Sequence, residues 1–235
     1  RLLAGRFGAG DELDVYFSAF RLPDLIFNIL ILGAISSVFI PVFAEYFHKD
    51  EKEAWELVSG VLNLALLCLI ISAIILAIFT PQLIFLIAPG FSGAKREITI
   101  LLTRIMLLSP ILLGVSSILS GVLQYFHRFL IYSLAPIMYN IGIIFGILAL
   151  VPKFGLVGLA WGVVFGAFLH VLIQVPSTIY SGFNWRPILD FFHKGVRKII
   201  KLMIPRTIGL AGLQINLIVI TAIASTLASG SIAIF

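Results

Sequence analysis

Residues 57–94 read LVSGVLNLALLCLIISAIILAIFTPQLIFLIAPGFSGA, a run without a single Lys, Arg, Asp or Glu. A helix needs about 20 apolar residues to cross the hydrocarbon core of a bilayer, so this run holds a full crossing. Working outward, residues 25–44, 105–127, 130–152, 154–185 and 207–235 are equally free of formal charge, and the charges gather in narrow bands between them. The runs are continuous and do not alternate as the strands of a membrane barrel would. In lipid a backbone must satisfy its own hydrogen bonds, so the reading is all-α: a polytopic transmembrane helical bundle.

Composition agrees. The chain is 60% hydrophobic and 11% charged, with 20 Phe and a mean hydropathy of +1.14, outside the range of ordinary soluble domains. The lone Cys68, inside Ala65-Leu66-Leu67-Cys68-Leu69-Ile70, gives no disulfide framework and reads as a small buried hydrophobe. Catalytic signatures are missing: there is no Walker loop, zinc spacing or nucleophile elbow, and His48, His127, His170 and His193 fall on different elements. No enzyme, cofactor or metal is expected from this pattern. Gly5-Arg6-Phe7-Gly8-Ala9-Gly10 lacks the strand-to-helix setting of a phosphate loop and reads as a turn at a membrane boundary. The chain opens on Arg1 without an initiator Met and stops on apolar Phe235, so both ends read as cuts within a longer protein.

In a membrane protein the place of positive charge matters more than its sum, so the net charge of +5 does not argue for nucleic acid. Alternate loops lie on opposite sides. One set carries Lys49, Lys52, Arg128, Arg186, Lys194, Arg197, Lys198 and Lys201; the other carries Lys95, Arg96, Arg104 and Lys153. The richer set is expected to be cytoplasmic. Within it, residues 187–201 place Ile188, Phe192, Val196, Ile199 and Ile200 on one helical face and Asp190, Lys194, Arg197, Lys198 and Lys201 on the other. That pattern predicts an amphipathic helix lying in the cytoplasmic interface against anionic head groups, a partner better suited to a connector between two spans than calmodulin-type targets or nucleic acid.

Gly158, Gly162 and Gly166 recur every four residues, and Gly142 and Gly146 repeat the spacing on the preceding run. Small residues at this period let helices approach closely in lipid, so these two runs are expected to pack on each other. His170, inside an apolar run, reads as an interhelical hydrogen-bond partner or a group on a transport path. Polar residues concentrate early: Asp14, Arg21, Asp24, Asn28, Ser36, Ser37 and Glu45, with Pro23 and Pro41 among them. They read either as the wall of a hydrated cavity or as interfacial anchors.

Several segments then carry a resemblance. These are Gly8-Ala9-Gly10, residues 14–24 (DVYFSAFRLPD), residues 33–46 (GAISSVFIPVFAEY), Ala88-Pro89-Gly90-Phe91, Arg128-Phe129, residues 134–140 (LAPIMYN), Gln174-Val175-Pro176 and Gln214-Ile215-Asn216. In that order they resemble the lipid II flippase family MurJ (MviN), of the multidrug/oligosaccharidyl-lipid/polysaccharide exporter superfamily. The resemblance implies a fourteen-helix parent of two lobes. Residues 1–180 would be the N-terminal lobe (the end of helix 1 and helices 2 to 6), 181–201 a cytoplasmic interfacial linker, and 202–235 helix 7, opening the second lobe.

It also implies an activity: moving undecaprenyl-pyrophosphate-linked disaccharide-pentapeptide, lipid II, from the inner to the outer leaflet of the bacterial inner membrane by alternating access. A coupling ion or the membrane potential would drive it, and cell-wall synthesis enzymes would be neighbours. Arginines hold the pyrophosphate in that family. Here Phe27-Asn28 stands where the family has Arg-Arg, and Leu32 stands where an acidic residue precedes Gly33. Arg21 and Arg206 are candidates to compensate. Asp14 matches an acidic family position and suggests gating, while Asn140, Gln174, Gln214 and Asn216 match polar positions and are expected to make interhelical hydrogen bonds. Another lipid-sugar flippase or cation-coupled exporter of the superfamily, or a non-transporting scaffold for cell-wall enzymes, would share the same fold.

Overall fold

The computed structural model of the chain describes residues 2–8, 10–32, 38–190 and 192–234; for residues 2–4, 32 and 206 it describes the backbone alone. Helices account for the regular structure among the described residues: α1 (Leu2–Phe7), α2 (Asp11–Phe27), α3 (Ile40–Phe47), α4 (Glu51–Ile87), α5 (Gly93–Met106), α6 (Leu108–Tyr125), α7 (Phe129–Phe145), α8 (Val151–Phe154), α9 (Leu156–Leu172), α10 (Val175–Tyr180), α11 (Lys194–Ser225) and α12 (Ser231–Ile234). Among the described residues, five stretches are long and apolar enough to cross a membrane: Glu51–Ile87, Gly93–Tyr125, Phe129–Phe154, Leu156–Tyr180 and Thr207–Ser225.

The quoted run as far as Ile87 lies in α4, whose 37 residues rise about 55 Å, well beyond a hydrocarbon core of about 30 Å. It starts where Asp50 caps it, accepting from the backbone N–H of Lys52 and Glu53 at 2.8 and 3.3 Å. Inside it, Pro81 has no N–H to give the carbonyl of Ala77. Arg104 Nε supplies the missing donor to Ala77 O at 3.0 Å, and Arg96 donates to Pro81 O at 2.9 Å. Two cations that read in the sequence as loop charges are therefore bonded to a membrane helix. A similar repair joins α5 to α6, where Pro110 leaves Met106 O without its donor and Ser109 Oγ takes it at 2.7 Å.

The glycine spacing closes α9 on α7 as expected. A Cβ on Gly146 would sit 2.6 Å from Gly162 Cα, and one on Gly142 would strike the backbone of Gly166, so the two helices meet backbone to backbone. Beyond Gly146 the chain widens into a π turn (Gly146–Leu150) ahead of Pro152, and Gly155, at φ 57°, makes the reversal into α9.

The loops gather at two ends in the alternation read from the charges. At one end Trp55 stacks on Phe126 and packs edge-on to Phe47 and tilted to Phe183, each at 5.8 Å, bringing together the three loops of the basic set. At the other, Phe91, Val151, Ala224 and Ile232 share a buried cluster.

The connector after α10 takes a different form from the amphipathic helix expected over 187–201. Up to Asp190 it is non-helical and lashed along α4: Asn63 Nδ2 donates to Arg186 O and Ile188 O at 2.7 and 2.9 Å, and Ser59 Oγ accepts from Arg186 N–H at 3.3 Å. Once its backbone is held by α4 it has no need of helix. Lys194 to Lys201 are helical but continue without a break into the last span, and their apolar residues Val196 and Ile199 are buried against protein.

Candidate functional site

The polar residues singled out in α2 and α3 converge on one partner. Helix α11 runs antiparallel to them, and four contacts stitch the pair from end to end. At the outer end Asp14, 2% exposed, accepts from the backbone N–H of Gly230 at 2.7 Å and of Ala233 at 3.0 Å. Lys95 Nζ stands 3.8 Å from the same carboxylate and bonds Asp11 at 2.7 Å. Two helical turns further in, Arg21 Nε donates to Thr221 Oγ1 at 2.7 Å. Next, Thr207 Oγ1 donates to Ile29 O at 3.3 Å. At the basic end Lys198 donates to Glu45 at 2.6 Å, and Lys49 pairs with the other oxygen at 3.0 Å.

These contacts differ in kind. The Asp14 carboxylate is dry and satisfied by backbone N–H groups and a nearby ammonium, the arrangement that makes a charge-assisted bond strong. Glu45 is exposed, and Lys198 and then Lys49 hold its carboxyl well below the ordinary range, at about 2. Asp11 is likewise lowered by its bond to Lys95 and by Ser229.

The other expected site residues are dispersed. Asp24 lies one turn from Arg21, and its backbone oxygen accepts from Asn28 Nδ2 at 2.8 Å, so Asn28 serves its own helix. Phe27 packs against the apolar core. Asn140 also bonds within its helix, to Pro136 O at 2.9 Å, and is exposed, in contrast to the interhelical bond expected of it. The proline-bearing helix offers that carbonyl one turn back, within reach of a short amide side chain. His170 and Gln174 do join helices: Ser116 Oγ of α6 lies 2.5 Å from His170 Nδ1 and accepts from Gln174 Nε2, while Ser120 Oγ donates to Gln174 Oε1 at 2.8 Å. Gln214 is half-buried and Asn216 exposed on α11, and among the described residues neither side chain makes a hydrogen bond. The side chain of Arg206, and residues 33–37 with Ser36 and Ser37, lie outside the described residues.

Beyond the end of α2 the structure opens a space of ≈ 370 Å³, walled among the described residues mostly by hydrocarbon from residues 29–31, Phe39, α4, Ile118 of α6 and α11. Cys68 is exposed on its wall and not buried, because α11 does not close over that face of α4. Sequence reasoning missed Lys95, Thr221 and residues 230–233 as partners of α2. The Ser229-Gly230-Ser231 turn signal was the only available hint, and Gly230 does take φ 89°.

A helical bundle with several apolar spans, meeting one further long helix across a polar-stitched, partly open seam, defines a class, the polytopic α-helical membrane proteins. The profile described as "Lipid II flippase MurJ" matches residues 3–235. The chain belongs to that family, and it is an inner-membrane protein. It is similar to the probable lipid II flippase MurJ of Buchnera aphidicola subsp. Schizaphis graminum, 32% identical over 98% of this chain and 46% of that protein. It is also similar to the lipid II flippase MurJ of Burkholderia cenocepacia, 28% identical over 98% of this chain and 46% of that one. A solved structure, "Lipid II flippase MurJ, inward closed conformation", superposes with a TM-score of 0.79 at 28% identity, covering 99% of this chain and 48% of its own. The chain thus spans about half the length of the curated relatives it matches.

Proposed function

We infer that this chain is the part of a lipid II flippase that carries the first lobe and the helix opening the second, and that it moves the lipid-linked peptidoglycan precursor across the inner membrane without breaking a bond. The match to the family over nearly the whole chain carries this reading. Residues 1–180 form the moving lobe, 181–201 the cytoplasmic connector with its basic side toward anionic head groups, and α11 the first helix of the opposing lobe. Neighbouring cell-wall enzymes and a coupling ion or the membrane potential complete the setting.

The physical problem is a charged, sugar-bearing head group that hydrocarbon cannot solvate. Two lobes that part first at one end and then at the other expose a wet path to one side at a time. The α2–α11 seam suits that task, because its ends are held by polar bonds that water can replace when the seam opens. Asp14 is the outer latch: its partners are backbone N–H groups, which need no particular side chain and release as a unit. Arg21, inside the seam, supports the reading of a cation that meets the pyrophosphate once Thr221 withdraws.

The test is depletion and complementation with the full-length gene while following which leaflet holds lipid II. Accumulation on the cytoplasmic side, relieved by the gene, supports the assignment, and no change in leaflet distribution overturns it. A second reading, a flippase for another lipid-linked sugar of the superfamily, draws on Phe27 and Asn28, which face apolar core and backbone and offer an anion no cation. Competition among lipid-linked cargoes of different head groups separates the two.

A further inference from the structure

The outer end of the seam holds a second contact besides the Asp14 latch, and it is made of backbone. The turn from Ala88 to Ser92 joins α4 to α5, and its Ala88 and Phe91 are buried in the cluster that also takes in Ala224 of α11 and Ile232 of α12. Between them Gly90 donates its backbone N–H to Ser225 Oγ at 3.2 Å. A Cβ on Gly90 would strike the carbonyl oxygen of Ser225, with Ser225 C at 2.6 Å and Thr226 Cα at 3.0 Å. Carbon atoms in ordinary contact stand about 3.5–4.0 Å apart, so even a methyl group is about 1 Å short of the room it needs.

Glycine is not required here for backbone freedom. Gly90 is not among the positive-φ glycines, unlike Gly93 at 51° and Gly230 at 89°, so alanine could take its conformation. What the position needs is close approach, and the atoms opposite cannot give. Ser225 is the last residue of α11, and it is its backbone that stands in the way. By contrast, a Cβ on Gly195 would meet the tip of the Leu57 side chain, which can turn aside. Gly142 and Gly166 meet backbone as Gly90 does, but between α7 and α9 inside the bundle, whereas Gly90 meets it across the seam.

The turn is also tied to the latch. Lys95 Nζ lies 4.1 Å from the centre of the Phe91 ring while it bonds Asp11 and stands beside Asp14. Asp14 holds the residues just beyond α11, and Gly90 holds its final turn. Both grip the same end of α11 from the bundle side, so they release together.

We propose that Gly90 is the closing stop of the outer end: with only hydrogen in the gap, the turn seats on the last carbonyl of α11, and any side chain holds that end ajar. The proposal rests on the reading of the α2–α11 seam as one that parts, and it is independent of the cargo. A methyl group at position 90 overfills the shut arrangement alone, so the resting population moves toward the open one.

Thiol labelling of the full-length protein tests it. Ala224→Cys, in a background without other cysteines, is buried in the shut outer end and reacts with a charged, membrane-impermeant methanethiosulfonate only while that end is open. Gly90→Ala is expected to raise the initial labelling rate about tenfold. Gly142→Ala, equally tight but inside the bundle, is expected to leave it unchanged. A parental rate in Gly90→Ala protein that unfolds like the parent overturns the stop, and so does an equal rise in Gly142→Ala. Should Gly90→Ala fail to fold, spin labels on the exposed Pro89 and Thr226 decide the matter in protein that keeps Gly90. A short and a long distance population are expected there, and a single fixed short distance overturns the proposal. A raised labelling rate with no effect of the gene on the leaflet distribution of lipid II supports the stop while removing the cargo, so the two readings fail separately.

Discussion

Helix α9 meets α7 and α2 meets α11 in the same membrane, yet the two seams are made of different material. The first is glycine against glycine, with backbone touching backbone over its length. The second is stitched by Asp14, Arg21, Thr207 and Glu45 and gapes between the stitches. In lipid there is no hydrophobic reward for bringing two apolar helices together, so close packing and hydrogen bonds decide what stays joined. Close packing is gained or lost all at once. Hydrogen bonds at the ends of a helix can be traded for water one at a time. The first seam rests on contact that leaves no room for water, and the second on bonds that water can replace.

The sharpest way to break the contrast is at the glycine seam. Gly146→Leu or Gly162→Leu puts side-chain atoms where the opposite backbone already lies, and backbone cannot yield as a side chain does. A loss of about 3 kcal/mol of stability is expected, read by thermal or denaturant unfolding in detergent. A variant that unfolds like the parent would show that the seam is not close-packed.

Asp14→Asn comes next. It keeps an acceptor but removes the charge, and should cost about 2 kcal/mol at the latch while leaving the bundle folded. A disulfide trap between the outer ends of α2 and α12 should form less readily, and complementation by the full-length gene should fall. Arg21→Met and Thr221→Val should each cost about 1 kcal/mol, and the double variant little more than either alone, since both remove one hydrogen bond. Simple additivity in that cycle would dissolve the pair.

The smallest effect is expected at the basic end. Glu45 is held at about 2 by Lys198 and Lys49, below its ordinary 4.5. A carboxylate lowered in this way contributes its stability above the ordinary value and loses it as pH falls from about 4.5 toward about 2. Backbone hydrogen exchange over residues 195–201 should quicken, relative to the rest of the protein, across that window and also in high salt, because the pair is exposed. Unchanged relative protection at low pH would mean that apolar packing, and not charge, holds that end.

What could be read from the chain alone follows the same division. Helices, their order and the α7–α9 contact were legible, because uncharged length and four-residue glycine spacing are properties of consecutive residues. The alternation of loops was legible from Lys and Arg placement, and the aromatic gathering around Trp55 agrees with it. The latch was half legible. Asp14 stood out as an acid at membrane depth, but its partners are backbone N–H groups, which have no letter in a sequence. Arg96 and Arg104 looked like loop charges because the carbonyls that take them, Pro81 O and the Ala77 O that Pro81 leaves without a donor, belong to the preceding helix. The connector at 187–201 looked helical throughout because its amphipathic spacing is real, while the Ser59 and Asn63 bonds that keep its first part out of helix come from another helix.

That lashing sets a limit on travel. The connector is fixed to α4 as far as Ile188, and α11 starts at Lys194. The intervening six peptide steps can span at most about 20 Å when pulled taut. However widely the far end of α11 swings, its near end remains on a short leash to the mast that α4 raises above the membrane, so any large excursion of that helix has to be a pivot and cannot be a slide.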